Sequence, residues 1–123
     1  MANTDNESGH ESPSFNEGLR LLKQQSYDGS CIYNTLTMTA TKGSGEPRIA
    51  AVRRDLLEKH WNSVQQRHMI LLQYEEDWSD DSYFKENQYQ EVQETYLQAR
   101  VALSDTIEKL VNLTSSSPSF NTL

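Results

Sequence analysis

The stretch that decides the fold runs from Leu57 to Leu71 and reads LEKHWNSVQQRHMIL. One stripe of side chains follows steps of four and three residues through it and reaches beyond it, with Glu75 as its one charged interruption. Its members are Leu57, Trp61, Val64, His68, Leu71 and Trp78. This spacing returns to the same side of an α-helix at each turn, so it predicts a long amphipathic helix.

A second stripe with the same alternation occupies the end of the chain. Its members are Tyr89, Val92, Tyr96, Ala99, Leu103, Thr106, Leu110 and Leu113. The residues between the stripes, 75–82, read EEDWSDDS, which is too polar and turn-rich to continue either helix. The two stripes therefore predict an all-α fold built on a long, antiparallel, coiled-coil-like helical hairpin. The residues expected to form the hairpin seam or a partner face are Leu57, Trp61, Val64, Leu71, Trp78, Tyr89, Val92, Tyr96, Leu103 and Leu110.

The boundaries of the hairpin follow from capping residues. The domain should span 44–113, with helices at about 46–77 and 82–113. Ser44 or Gly45 can cap the first helix, and Pro47 is tolerated in its first turn. Asp81 or Ser82 can cap the second helix.

The two ends of the chain carry weaker signals. Residues 1–43 are expected to be largely disordered or a linker, because residues 1–14 are almost free of apolar side chains and 26–45 are rich in Ser, Thr and Gly. A short helix can form over 15–25, although Gly18 weakens it by about 1 kcal/mol relative to Ala. Residues 114–123 are expected to form a disordered tail.

Composition restricts the class of partner. The net charge is −7, and Arg53-Arg54 is the only adjacent basic pair, so we expect no direct binding of nucleic acid. No apolar run approaches the roughly 20 residues that span a bilayer, so we expect no membrane partner. The single cysteine, Cys31, and a first segment without the features of a secretory signal favour an intracellular, cytoplasmic location.

Site chemistry is sparse, so we predict no enzyme, no catalytic residue, no cofactor and no metal. His60 and His68 are eight residues apart and lack the further ligands of a zinc site. We expect His68 to fill a seam position and His60 to be partly exposed. The acidic stretch fails as a calcium loop, because Ser82 and Gln88 stand where glycine and a bidentate glutamate are required.

Residues from about Arg48 to Leu113 resemble the Gag-like, helical amino-terminal region of Bel/Pao-type retrotransposon polyproteins. The resemblance lies in LEKHW at 57–61, MILL at 69–72, the acidic break followed by Tyr83-Phe84, and YQEVQETYLQAR at 89–100. It implies a structural, self-assembling role, since the enzymes of such elements lie downstream in the polyprotein. The chain lacks the zinc knuckle and the aspartic protease motif of a complete element.

Two functional hypotheses follow. The first is a non-enzymatic helical assembly or protein-interaction module, resembling a Gag-like fragment. The alternative is an intracellular coiled-coil adaptor that binds a host protein and is unrelated to retroelements. In both cases the partner is a protein, either a second copy or another helical protein. Four apolar residues outside the seam would form a second face that a third helix or another copy must cover: Leu56, Ile70, Leu72 and Leu97.

Overall fold

The computed structural model describes the backbone of residues 13–121 and the side chains of residues 15–109, and all regular structure in that range is helical. The all-α prediction is therefore confirmed. The elements are α1 (Pro13–Lys42), α2 (Pro47–Leu71) followed by a 3-10 turn (Leu72–Tyr74), α3 (Ser82–Lys85) and α4 (Gln88–Asn121).

Helices α2 and α4 run antiparallel, as the two stripes predict. The Tyr96 hydroxyl of α4 donates to the Glu58 carboxylate of α2, and one turn earlier on α2 Arg54 donates to Ser104, further along α4. Helix α1 lies antiparallel to α2 and packs against both members of the hairpin. The fold is consequently an up-down-up bundle of three long helices, with a short connection between α1 and α2 and a longer one, residues 72–87, between α2 and α4.

The prediction that residues 1–43 are largely disordered or a linker is wrong for residues 13–42, which form α1. Residues 1–12 lie outside the described part of the chain. The inner face of α1 repeats every three or four residues, but polar side chains occupy about half of its positions, so a search for apolar residues overlooks it. Its buried members are Gly18, Leu21, Gln25, Asp28, Ile32 and Thr39.

The threonines of α1 are compatible with a helix because their hydroxyl groups bond within it. Thr35, Thr37, Thr39 and Thr41 each donate to the carbonyl oxygen four residues earlier, at 2.8–3.0 Å. This arrangement leaves the backbone ladder in place, although such bonds tend to bend a helix. The Thr-rich segment therefore forms the last turns of α1 instead of a flexible connection.

All three long helices contribute to the core. Its main cluster of buried side chains is formed by Ile32, Ala50, Leu57, Trp61, Val64, Tyr96, Ala99 and Leu103. A second cluster, towards the connection between α2 and α4, contains Leu21, Leu71 and Tyr83. Burial of this kind contributes roughly 25 cal/mol per Å² of apolar surface, so α1 stabilises the fold by covering the hairpin.

The helix ends differ in part from the predictions. The N-cap of α2 is Glu46 and not Ser44 or Gly45; its side chain makes no capping bond, and Pro47 occupies the first turn. Helix α2 ends at Leu71, six residues before the predicted end, because the acidic residues that follow form turns. Asp81 caps α3 as predicted, accepting a bond from the Tyr83 amide at 3.0 Å.

The second predicted helix is interrupted near its start and continues past its predicted end. Asn87 has a φ of 52°, in the left-handed region, and separates the single turn of α3 from α4. The backbone of α4 continues to Asn121, so the predicted tail from residue 114 is wrong for 114–121. Once a helix is nucleated, each added residue gains a hydrogen bond without a new nucleation cost.

Candidate interaction surface and buried polar network

Most of the predicted seam residues meet inside the bundle. Leu57, Trp61, Val64, Tyr96 and Leu103 belong to the main core, and Tyr89 and Val92 pack against it. Leu71 lies in the second cluster, and the side chain of Leu110 is outside the described part. These residues hold the three helices together, so a partner must bind elsewhere.

A series of stacked rings fills the space between α2 and α4. Trp61 stacks on Tyr96 with ring centroids 4.8 Å apart and on Tyr89 at 5.6 Å, and His68 stacks on Tyr89 at 3.8 Å. His68 thus occupies the seam as predicted, and His60 is partly exposed as predicted. The rings bury a large apolar area, and the polar N–H or O–H group of each ring requires a hydrogen-bond partner when it is buried.

Tyr96 finds its polar partner at the edge of the core. Its hydroxyl donates to Glu58 at 2.8 Å, and Arg100 forms an ion pair with the same carboxylate at 2.8 Å. Burial, followed by the bond to Glu58, raises the pKa of Tyr96 to about 12. The phenol stays protonated at neutral pH and acts as a structural donor between α4 and α2.

Trp78 does not continue the α2 stripe, contrary to the prediction. It lies in the connection after α2 and reaches across to α1, where its indole stacks on Phe15 at 4.6 Å. The ring also lies over Gly18, where an added Cβ would come within 2.3 Å of Nε1. The buried Nε1 has no hydrogen-bond partner within the described residues. Gly18 therefore makes room for a side chain that anchors the acidic connection to α1.

A polar network that the sequence analysis missed joins α1 to α2. Arg67 donates from Nη1 to Asp28 Oδ2 at 2.6 Å and to Gln25 Oε1 at 2.9 Å. The other Asp28 oxygen lies 2.8 Å from His60 Nδ1. The Asp28 side chain is 11 % exposed and that of Arg67 is 17 % exposed, so solvent screens this pair less than a surface ion pair.

The network continues through Gln25 to the connection between α2 and α4. Gln25 Nε2 donates to the Val64 carbonyl at 2.9 Å and to the Tyr83 hydroxyl at 3.0 Å. The Tyr83 oxygen lies 2.5 Å from His68 Nδ1, a hydrogen bond in which the tautomer of the ring determines the donor. The arrangement therefore links three elements of the fold, α1, α2 and α3.

The ionisation of these groups follows from burial. Burial raises the pKa of Tyr83 to about 12 and lowers the pKa of His68 below its usual value. Both groups are thus held neutral at pH 7. A general base or a nucleophile works best with a pKa near the working pH, and the raised pKa of Tyr83 lies far from it. The network is well suited to locking three elements in register and poorly suited to proton transfer.

Metal chemistry finds no support in the described residues, since no group of three or more His, Cys, Asp or Glu side chains there could hold an ion. A groove of about 290 Å³ lies between α1 and α4, near Gly29, Tyr33 and Val92. That volume is at the small end of ligand sites.

The exposed face of α2 carries a second stripe with regular spacing, here named the outer stripe. Its members follow steps of three and four residues and are Ile49, Val52, Leu56, Lys59, Ser63, Gln66 and Ile70. All except the half-buried Ser63 are exposed, and Val52 and Leu56 retain 54 % and 51 % of their accessible surface. Apolar side chains occupy its two ends and polar ones its centre.

The second apolar face predicted from the sequence shares only two of its four residues with the outer stripe. Leu56 and Ile70 belong to it, Leu72 lies in the turn after α2, and Leu97 lies on the outer side of α4. All four side chains remain 43–51 % exposed, since α1 packs into the groove between α2 and α4 and leaves them uncovered.

The polar network left only a weak signal in the sequence. Gln25 and Asp28 are three residues apart and lie on the same side of a helix as Ile32, while His60 and Arg67 are seven residues apart on α2. A test for polar residues at inner positions of both segments would have paired them. Because about half of the inner positions of α1 are polar, the apolar pattern by itself indicates neither the network nor α1.

No helix in the described part of the chain combines the length and the apolar character that crossing a bilayer would require. No protein-family model, no curated protein and no solved structure matches this chain.

Proposed function

We propose that this protein is a non-enzymatic helical module that binds another protein through the outer stripe of α2. The observation that carries the proposal is the stripe itself, whose aliphatic members stay 43–54 % exposed within the described part of the bundle. A helix face with exposed aliphatic side chains at its two ends and polar side chains between them is suited to helix-in-groove or helix-pair recognition. Its function is assembly or recruitment.

The non-enzymatic part of the proposal is supported by the way the polar groups are used. The side chains of Tyr83, Tyr96 and Gln25 each form a hydrogen bond with another group of the same chain. Their hydrogen-bonding capacity is consumed in joining helices, so little is left to contact a substrate. The net charge of −7 supports a protein partner over a nucleic acid.

Affinity capture with matched variants tests the proposal. The tagged chain, Leu56→Lys and Leu97→Lys would each be immobilised and exposed to extract from cells that express the protein. Both leucines are about half exposed, at 51 % and 46 %, so neither change disturbs the core. We expect the parent and Leu97→Lys to retain the same proteins, and Leu56→Lys to lose them at least tenfold.

A loss of binding counts only for a variant that is folded, and circular dichroism would verify the helical content of each variant. If the three baits retain identical proteins, the outer stripe is not the binding surface and the proposal is wrong. If Leu97→Lys alone loses partners, the binding surface lies on α4.

Kinship with the Gag-like regions of Bel/Pao-type elements stays a prediction, and so does the alternative of a host adaptor. Genomic context separates them: a protease or reverse-transcriptase reading frame immediately downstream favours the retroelement origin, and an ordinary host gene at that place favours the adaptor.

A further inference from the structure

We infer that the occupant of the outer stripe is the outer stripe of a second copy of this chain, with the two α2 helices antiparallel. The inference deepens the proposed function and rests on it. It assigns the partner, the orientation and the register of the contact. Each follows from a different property of α2.

The spacing of the stripe favours another helix as the occupant. The apolar members Ile49, Val52 and Leu56 are spaced three and four residues apart, and Ile70, 14 residues further on, lies on the same side of α2, which is the arrangement of a face that packs along another helix. The stripe lies on a different side of α2 from the buried residues Leu57 and Val64, so pairing requires no opening of the bundle.

The charges at the two ends of α2 select the antiparallel orientation. The region around its start, residues 42–54, contains Lys42, Arg48, Arg53 and Arg54 against the single acidic Glu46. The connection after its end, residues 75–81, contains five acidic residues and no basic one. In an antiparallel pair each basic end lies beside an acidic end, whereas a parallel pair brings like charges together. Complementary charge at a contact of this kind determines orientation more than affinity.

The distribution of aliphatic residues selects the register. Val52 and Ile70 lie near opposite ends of the stripe, and setting Val52 of one copy against Ile70 of the other makes an aliphatic layer. The two-fold axis repeats that layer at the other end, so one dimer contains it twice. Leu56 then lies against Gln66 of the second copy, and the polar residues Lys59 and Ser63 lie near the axis. Polar residues in such a seam restrict register at some cost in stability, which predicts a reversible dimer.

Sedimentation equilibrium on the full chain tests the partner. We expect a monomer–dimer equilibrium at tens of micromolar for the parent and for Leu97→Lys, and monomers for Leu56→Lys and Val52→Lys. The two stripe variants should give the same result because both positions lie in the proposed contact, and circular dichroism verifies that each is folded. A parent that stays monomeric up to several hundred micromolar overturns the inference, and so does a dimer that the stripe variants leave unchanged.

Disulfide cross-linking tests orientation and register. In a Cys31→Ser background, Val52→Cys and Ile70→Cys would be prepared as separate proteins, mixed and oxidised. Antiparallel pairing predicts a disulfide-linked heterodimer from the mixture. It predicts little product from either protein alone, because equivalent cysteines lie about 27 Å apart along the helix axis. Rapid cross-linking of Val52→Cys with itself would show that the helices pair in parallel and overturn the inference.

The two proposals fail in different ways. If sedimentation shows only monomers while capture still separates Leu56→Lys from Leu97→Lys, the second copy is wrong and the protein-interaction module stands with a different partner. If capture shows no difference and sedimentation shows no dimer, both proposals are wrong.

Discussion

Gly18 shows how one residue can look wrong locally and be required by the fold. Within a helix, glycine costs about 1 kcal/mol relative to alanine, which is why the sequence argued against a stable helix there. In the structure the missing side chain is where the Trp78 indole rests, and the indole also stacks on Phe15. The local cost is offset by the anchoring of the connection between α2 and α4.

Gly18→Ala should destabilise the parent protein and should stabilise a protein that lacks the Trp78 side chain. In the parent, Gly18→Ala places a methyl group 2.3 Å from Nε1, and such overpacking costs about 1–3 kcal/mol, more than the gain in helix propensity. In a Trp78→Ala background the space is free, so the same change should stabilise the protein by up to about 1 kcal/mol. Urea denaturation of the four proteins measures both effects. Destabilisation of equal size in both backgrounds would show that the indole is not what excludes a side chain.

His68 should make stability depend on pH in a defined direction. Burial lowers the pKa of His68 in the folded state, opposed in part by the charge of Glu75, and the neutral ring is hydrogen-bonded to Tyr83. The unfolded chain therefore binds a proton more readily, with a pKa of about 6.5. The contribution of His68 to stability is fully present above about pH 6.5, and it is lost as the pH falls through the pKa of the folded state.

The comparison that isolates this contribution uses His68→Gln, which cannot titrate in this range. Urea denaturation at pH 7.5 and pH 5 should show a larger loss for the parent than for the variant, because the other ionisable groups are common to both. Equal losses would assign the pH dependence to groups other than His68.

Between the elements, the contact of α1 with α2 depends on the Asp28–Arg67 pair. Removing one member of a fully buried pair costs about 3–5 kcal/mol, because the other charge stays buried without its partner. Arg67 keeps its bond to Gln25 and is 17 % exposed, so Asp28→Ala should cost a little less, about 2–4 kcal/mol. Asp28→Leu combined with Arg67→Met should recover most of this loss, since an apolar pair of similar volume carries no unpaired charge. A double variant as unstable as Asp28→Ala would contradict this explanation.

The elements also show what the sequence could and could not predict. The hairpin of α2 and α4 was predictable because large aliphatic and aromatic residues such as Leu57, Trp61 and Leu103 fill nearly every inner position. Helix α1 was not predicted at its full length, because Gln25 and Asp28 occupy inner positions and become compatible with burial only when Arg67 and His60 of α2 meet them. A polar inner position cannot be recognised from the segment that contains it alone.

The candidate site residues also divide into those that helix periodicity predicts and those that depend on contacts with distant segments. The seam residues were predictable because their burial depends on helix periodicity. The position of Trp78 was not, because it depends on where α2 ends and on space over a glycine 60 positions earlier in the chain. The outer stripe is visible in the sequence, but its meaning required the observation that the bundle leaves it uncovered.

Across the whole molecule, stability should depend on the shared core much more than on the exposed faces. Leu103 is fully buried among side chains from all three long helices, so Leu103→Ala should cost about 2–5 kcal/mol. Val101, two residues earlier, is 60 % exposed, and Val101→Ala should change the free energy of unfolding by less than about 0.5 kcal/mol. Thermal melts followed by circular dichroism compare the two. If Leu103→Ala melts like the parent, the assignment of the core is wrong.

The placement of the two tryptophans gives the protein a pair of intrinsic optical probes. Trp61 is stacked within the core, whereas Trp78 is half-buried where the acidic connection rests on α1. Indole fluorescence moves to longer wavelength when water reaches the ring, so Trp61→Phe leaves a reporter of the connection and Trp78→Phe a reporter of the core. Local openings cost less free energy than global unfolding. Release of the connection should therefore be visible as a red shift in the Trp61→Phe protein at urea concentrations where its helical circular dichroism signal is still intact.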